Sequence, residues 1–196
     1  MTIRQRILKF FYPLLMTAGK WFGRRANRST GPLSLFTPVS FYSLDLQTNQ
    51  GKTIPFTAFK GKKVLLVNTA SACGYTAQYA ELQMLADQYR DKLIVLGFPS
   101  NDFGEQEKGS DEEIARFCNK HYGISFPLSL KSKVLKGKDQ NKVFEWLTNK
   151  AENGWNDREP GWNFSKYLVS EKGILIHFFD PGISPLDPSV IQSVEL

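Results

Sequence analysis

Apolar and polar positions fall along the chain in runs and spacings that predict discrete elements. Residues 64–67, VLLV, are a continuous apolar run between turn residues, the pattern of a central strand buried on both faces. Residues 93–98, LIVLGF, predict a second such strand. Between them Tyr79, Leu82, Leu85, Ala86 and Tyr89 mark one face of a helix. Ser110 and Glu113 have the spacing of a capping box and open a helix on Ile114, Phe117 and Cys118, which Gly123 ends. Val143, Phe144 and Leu147 mark a third helix. Residues 167–169 and 174–178 read as a hairpin turning near Lys172-Gly173. Asp187-Pro188 supplies an N-cap and first helical position for a last helix. Upstream, residues 39–46 alternate like a strand ahead of a turn at Gly51-Lys52.

The predicted order is β, β-α, β-α, α, β-β, α. Strand and helix alternating, then an antiparallel hairpin, predict an α/β domain with a mixed central sheet flanked by helices. That is the order of a thioredoxin-like fold. The 196 residues suit one such domain plus an appendage, divided here as an arm and linker over residues 1–38 and a domain over 39–196.

The arm has its own pattern. Ile3, Ile7, Phe10, Phe11, Leu14, Leu15, Ala18, Trp21 and Phe22 recur at three and four residues, with Arg4, Lys9, Lys20 and Arg24 largely off that stripe. This suits an amphipathic helix on an anionic membrane surface through residues 1–25. A signal peptide is a second reading, with Arg4, Arg6 and Lys9 ahead of the nine apolar-rich residues 10–18, although no small-x-small cleavage site follows. A third is a loose extension or a helix packed on the domain. Nine residues fall well short of the roughly 20 needed to span a bilayer. Pro13 is expected to kink or split the helix, and residues 27–38, with Ser, Thr, Gly and two Pro, read as a linker. A cytoplasmic or membrane-associated location is expected, or a periplasmic or secreted one under the signal-peptide reading.

Charge sharpens this division. Arg4, Arg6, Lys9, Lys20, Arg24, Arg25 and Arg28 precede the first acidic residue, Asp45. Of the 25 basic residues, those seven leave 18 against 19 acids in the rest of the chain, so the net charge of +6 belongs to the arm. A nucleic-acid-binding domain, which spreads Lys and Arg over its folded face, is not indicated.

The candidate chemistry begins with two cysteines, Cys73 and Cys118. They are too far apart for a C-x-x-C pair and too few for a secreted disulfide scaffold. Cys73 falls where a buried strand gives way to a helix, and free backbone N–H groups with the helix dipole there are expected to lower its pKa and favour the nucleophilic thiolate. Thr76 stands where a dithiol oxidoreductase carries its second cysteine, so disulfide shuffling is disfavoured and an acceptor such as a peroxide is more suitable. Cys118 and His121 share a helix face, but no second ligand pair accompanies them, and a metal site is not expected.

Three segments then resemble one family. Residues 68–76, NTASACGYT, with Gln78-Tyr79, closely resemble the first signature of glutathione peroxidases. Residues 97–107, GFPSNDFGEQE, are similar to the second, and Trp162-Asn163-Phe164 followed by Lys166-Tyr167-Leu168-Val169 to the third. The likeness runs from about Phe41 to the end. It implies a peroxidase acting on hydrogen peroxide and organic or lipid hydroperoxides, with a catalytic tetrad of Cys73, Gln106, Trp162 and Asn163. The amides and the indole N–H are uncharged donors that can stabilise a thiolate and polarise an O–O bond. Neither histidine lies in these motifs, so a Cys–His dyad is not suggested.

The segment around Cys118, FCNKHYG, resembles the resolving-cysteine segment of the thioredoxin-dependent branch. That likeness implies a Cys73 sulfenic acid that condenses with Cys118 and is recycled by thioredoxin. Cys118 also lies on the apolar stripe with Ile114 and Phe117, where it could be plain core. Glutathione as co-substrate of a one-cysteine enzyme, and a redox sensor relaying oxidation to a partner protein, stand as alternatives; no resident cofactor or metal is implied. Only 14 residues separate Leu147 from Trp162, where tetrameric members carry an insertion, which implies a monomer with an open site. Selenoenzymes of the family have selenocysteine at the position of Cys73, and slower turnover is expected of a thiol. Ser100, Asp102 and Lys108 depart from the common Cys, Gln and Pro, and Asp102 is expected to raise the thiol pKa.

Overall fold

The structure, a computed structural model, describes residues 2–21, 28–31 and 36–196, with the side chains of Arg4, Lys9, Leu15 and residues 18–21 also outside the description. A helix, α1 (Ile3–Trp21), leads into a short strand β1 (Arg28–Thr30). A hairpin of β2 (Asp45–Gln47) and β3 (Thr53–Pro55) forms a small separate sheet, turning at Gly51 with φ 75°. The main domain continues β4 (Lys63–Thr69), α2 (Gln78–Gln88), β5 (Leu93–Pro99), α3 (Asp111–Tyr122), α4 (Lys142–Leu147), α5 (Lys150–Asn153), β6 (Lys166–Val169), β7 (Leu175–Phe179) and α6 (Pro188–Glu195).

The five-stranded sheet has the order β1-β7-β6-β4-β5. Only β4 and β5 are parallel; β6 runs antiparallel beside β4, so the sheet is mixed as expected. Because side chains alternate across a strand, β4 feeds two cores. Leu65 and Val67 join Tyr79, Leu82, Cys118 and Val190 under α2, α3 and α6. Val64 and Leu66 join Phe98, Phe144, Trp146 and Tyr167 on the other face. The caps act as their sequences imply. Ser110 and Glu113 make both bonds of the capping box, Gly123 closes α3 with φ 62°, and the Asp187 side chain accepts from Ser189 N–H.

Several expectations need correction. Residues 39–46 are not one strand: Ser40 caps a 3-10 turn over Phe41–Ser43, and only Asp45–Gln47 is extended. Phe41 buries in the second core from that turn and Leu46 from β2, so only the end of the alternation reports a ladder. The linker reading of residues 27–38 fails at Arg28–Thr30, which pair with His177, Phe178 and Phe179 at the sheet edge; residues 27 and 32–35 lie outside the description. The Arg28 guanidinium lies 3.0 Å from His177 Nε2. Burial, then Arg28 and Lys63, push the imidazole down to about 4, so it stays neutral there. Helix α5 had no distinct signal in the sequence.

The arm also differs. α1 is assigned as one helix through Pro13, neither split nor interrupted. Its expected apolar stripe does not face the domain: Ile3, Ile7, Phe10, Phe11 and Leu14 are exposed. Gln5, Leu8, Tyr12 and Met16 are its more buried side chains. The expectations for Phe22, Arg24 and Arg25, and for the side chains of Leu15, Ala18, Lys20 and Trp21, lie outside the described residues. Among the described residues, no helix is long and apolar enough to cross a membrane.

Candidate active site

Cys73 lies in the turn between the end of β4 and the start of α2. Thr76 builds that turn. Its hydroxyl accepts the Cys73 N–H at 2.9 Å and stands 2.9 Å from the Ala70 carbonyl and 2.8 Å from that of Cys73, to either of which it can donate. In place of a second thiol, this position therefore holds a buried backbone clamp.

Two other segments close on the cysteine. The Ala72 N–H donates to the Gln106 carbonyl at 3.1 Å, fastening the turn to the segment after β5. Asn68, at the end of β4, fastens the other. Its amide donates to Trp162 O at 3.1 Å, its side-chain oxygen accepts from Ser165 N–H at 3.0 Å, and its backbone carbonyl accepts from Phe164 N–H at 2.6 Å. Left-handed backbone marks both approaches, Glu105 with φ 50° beside Gln106 and Phe164 with φ 68° beside Asn163. Such non-glycine conformations cost free energy and cluster where surrounding structure holds a site in place.

Cys73, Gln106, Trp162 and Asn163 are thus brought together. Asn163 Nδ2 donates to Gln106 Oε1 at 3.1 Å, and the Tyr75 N–H reaches the Cys73 sulfur at 3.4 Å. The Trp162 and Asn163 side chains and the Gly74 N–H also donate toward that sulfur. Cys73 and Asn163 are buried, whereas Trp162 is 39% exposed and its ring leans on Phe103, forming an open wall. Burial raises the Cys73 thiol above its ordinary pKa, against the opposing pull of those donors. This corrects the expectation of a lowered pKa. α2 starts only at Gln78, five residues after Cys73, and desolvation outweighs the donors. Asp102 has another task than the one expected: its carboxylate accepts the Val134 and Leu135 N–H groups at 2.6 and 3.1 Å. Lys108 pairs with Glu105.

Cys118 is buried in the same apolar cluster as Cys73, and both are free thiols. Burial pushes Cys118 up to about 12, against a hydrogen bond with Tyr79. A surface hollow of about 280 Å³ has Cys118, Gly123 and Phe126 in its wall, beside the last turn of α3. His121 packs edge-on to Phe117.

One group here had no sequence signal beyond its motif. Glu107, 1% exposed, accepts from the Ser71 hydroxyl at 3.1 Å, and its own N–H donates to Asn101 at 2.9 Å. Burial pushes its carboxyl up to about 7. Asn68 and Thr76 also act as positioning groups that residue type alone did not distinguish.

A mixed sheet with a buried thiol at a strand-to-helix turn, surrounded by neutral donors, defines a thioredoxin-like thiol enzyme. Comparison with known proteins narrows the class. The glutathione peroxidase family profile matches residues 41–148. A "Glutathione peroxidase homolog BsaA" of Staphylococcus epidermidis is 44% identical over 147 residues, covering 74% of this chain and 92% of that protein. A "Glutathione peroxidase-like peroxiredoxin gpx1" of Schizosaccharomyces pombe is 46% identical over 137 residues, covering 69% and 85%. Among solved structures, "Trgpx in apo form" aligns with a TM-score of 0.60 at 30% identity, over 81% of this chain and 97% of that one. A DsbF homologue from Corynebacterium diphtheriae aligns at 0.60 with 17% identity, over 87% and 95%, a likeness of fold alone. The chain belongs to the glutathione peroxidase family. It is a thiol peroxidase.

Proposed function

We propose that the chain reduces hydroperoxides in a two-thiol cycle. The Cys73 thiolate attacks the terminal oxygen of a hydroperoxide. The S–O bond forms, the O–O bond breaks, and the departing alkoxide takes up a proton to leave as alcohol, or as water from hydrogen peroxide. Asn163, Trp162 and the Tyr75 N–H stabilise the thiolate, and Gln106 with Asn163 polarises the breaking bond as charge develops on the leaving oxygen. The last turns of α3 then open. The Cys118 thiolate attacks the Cys73 sulfenic acid; the S–S bond forms, the S–O bond breaks, and hydroxide leaves as water with the proton that Cys118 gave up. A dithiol of the thioredoxin type reduces the disulfide by exchange and is itself oxidised.

The observation that carries this reading is Cys73 set among donors from its own turn and from Trp162-Asn163, with Gln106 bonded to Asn163 and a second thiol in the same core. Mass spectrometry of the reduced protein after one equivalent of hydrogen peroxide tests it. A Cys73–Cys118 disulfide is expected. Cys73 held as sulfenic acid, trapped by a 1,3-dione, with Cys118 free would replace it by a one-cysteine cycle with glutathione as reductant. The burial of Cys118 within a doubly capped helix favours that second reading. A stable mixed disulfide with a protein partner and little turnover would mark a redox sensor.

The arm is read as a contact with an anionic lipid surface. Its exposed apolar side chains and its seven basic residues without an acid match such a surface in both hydrophobicity and charge. Deleting residues 2–21, which spares the sheet pairing of Arg28–Thr30, is expected to abolish co-sedimentation with phosphatidylglycerol vesicles.

A further inference from the structure

α1 meets the domain with the face that carries Gln5, Leu8, Tyr12 and Met16, and two side chains on it are hydrogen-bonded across the contact. Gln5 Nε2 donates to the Ser71 carbonyl at 3.0 Å, two residues before Cys73. The Tyr12 hydroxyl donates to Glu81 Oε2 at 3.1 Å, and that same oxygen accepts from Ser184 at 2.7 Å. Tyr12 is only 7% exposed. Gln5 and Tyr12 are seven residues apart, about two helical turns, and therefore share one face. Their partners Ser71 and Glu81 bracket the Cys73 turn, so α1 runs along the segment that carries the thiol.

On the opposite face Ile3, Ile7, Phe10 and Leu14 follow one another at four, three and four residues, 78%, 52%, 78% and 63% exposed. A helix held to a domain by hydrophobic burial turns such a stripe inward. Here that stripe faces away from the domain, while Leu8, Tyr12 and Met16 are the apolar side chains turned toward it. The stripe is available to a surface, and basic residues such as the exposed Arg6 suit that surface to anionic headgroups. The family profile starts only at residue 41, so α1 lies outside the region it matches.

We propose that Gln5 and Tyr12 are positioning residues that lock the lipid-binding helix to the rim of the Cys73 turn, so that the site is held against an anionic bilayer and receives lipid hydroperoxides from it. This rests on the readings of Cys73 as the reacting thiol and of the arm as the lipid contact. Without the lock, the arm would still tether the protein, but the site would meet the surface in all orientations. Orientation at a reacting centre is worth one to two orders of magnitude in rate.

The test uses the full chain and a Gln5→Ala/Tyr12→Phe double variant, which keeps the Tyr12 ring but removes both hydrogen bonds. Anionic vesicles of phosphatidylglycerol and phosphatidylcholine carry phosphatidylcholine hydroperoxide; the same hydroperoxide in detergent micelles and hydrogen peroxide serve as unoriented substrates. The double variant is expected to sediment with vesicles like the parent, while its ratio of vesicle rate to micelle rate falls roughly tenfold. A loss of fold would lower all rates together and leave that ratio unchanged. An unchanged ratio in a variant that keeps the parent's rates on micelles and on hydrogen peroxide overturns the lock. A parent that does not bind vesicles overturns the lipid reading of the arm, and one that reduces no hydroperoxide overturns the reading of Cys73. Concentration-dependent dimerisation that is lost in an Ile7→Asp/Phe10→Asp variant, in a parent that ignores vesicles, would assign the stripe to a second copy instead.

Discussion

The Asn163 side-chain amide donates to the Gln106 oxygen across 3.1 Å, joining two motifs that lie 57 residues apart. Gln106 thereby fixes the plane of an amide that also donates toward the Cys73 sulfur. Asn163→Ala is expected to slow the first oxidation of Cys73 by about 100-fold, the usual cost of losing one aimed donor. Gln106→Ala should cost less than that if its part is chiefly to orient Asn163. Stopped-flow oxidation with limiting peroxide measures both; equal rates for parent and Asn163→Ala would remove Asn163 from the chemistry.

The same donors set a pH dependence. The thiolate is the reacting form, and burial holds the thiol above its ordinary pKa, so the rate of first oxidation is expected to rise with pH through neutrality. Asn163 stabilises the charged form, so its removal raises the thiol pKa and moves the rate profile to higher pH. A profile for Asn163→Ala superimposed on that of the parent, scaled but not displaced, would mean that Asn163 acts only on the departing oxygen.

Much of this site was legible because its residues are read locally. The capping box, Gly123 and Asp187-Pro188 need only their neighbours, and the VLLV run needs only its own burial. The tetrad was legible through motif likeness, not through any property of Gln106 or Asn163 alone. What stayed hidden depends on distant partners. Gln5 and Tyr12 meet groups 66 and 69 residues away, and nothing in a helical repeat says which face will be pinned. β1 is the polar tripeptide Arg-Ser-Thr, which forms a strand only because β7 offers an edge. The Cys73 pKa turned on burial, which a strand-to-helix position does not reveal.

The proposed resolution by Cys118 has the last turn of α3 open, and Gly123 closes that turn. Its φ of 62° is left-handed, and an added Cβ would meet nothing within 4 Å, so Gly123→Ala introduces backbone strain alone. That strain is about 1–2 kcal/mol. It should lower Tm by a few degrees and speed disulfide formation roughly 5- to 30-fold, because opening becomes easier by the same free energy. Quenched-flow alkylation after a peroxide pulse follows the step. A lower Tm with an unchanged rate of disulfide formation would show that opening of this turn does not limit resolution.

Glu107 gives the fold a pH dependence of identifiable sign. Its folded-state pKa, about 7, lies above the ordinary 4.5 because burial disfavours the carboxylate. Between those values the folded chain holds a proton that the unfolded chain has lost. Stability from this group is therefore complete below about pH 4.5 and is lost as pH rises through 7. The full change is roughly 3 kcal/mol at 1.36 kcal/mol per pH unit. His177 and Lys166, both pushed down, to about 4 and about 7, have the opposite slope, gaining stability with rising pH. Raw stability curves would mix these contributions, whereas the difference between the parent and Glu107→Gln isolates one, since the amide keeps the Ser71 contact and does not titrate. Urea unfolding of the reduced proteins should show the parent losing about 3 kcal/mol relative to the variant between pH 4.5 and 8. A constant difference would mean that Glu107 is charged in the folded protein at both ends of that range, with a counter-charge that offsets its burial.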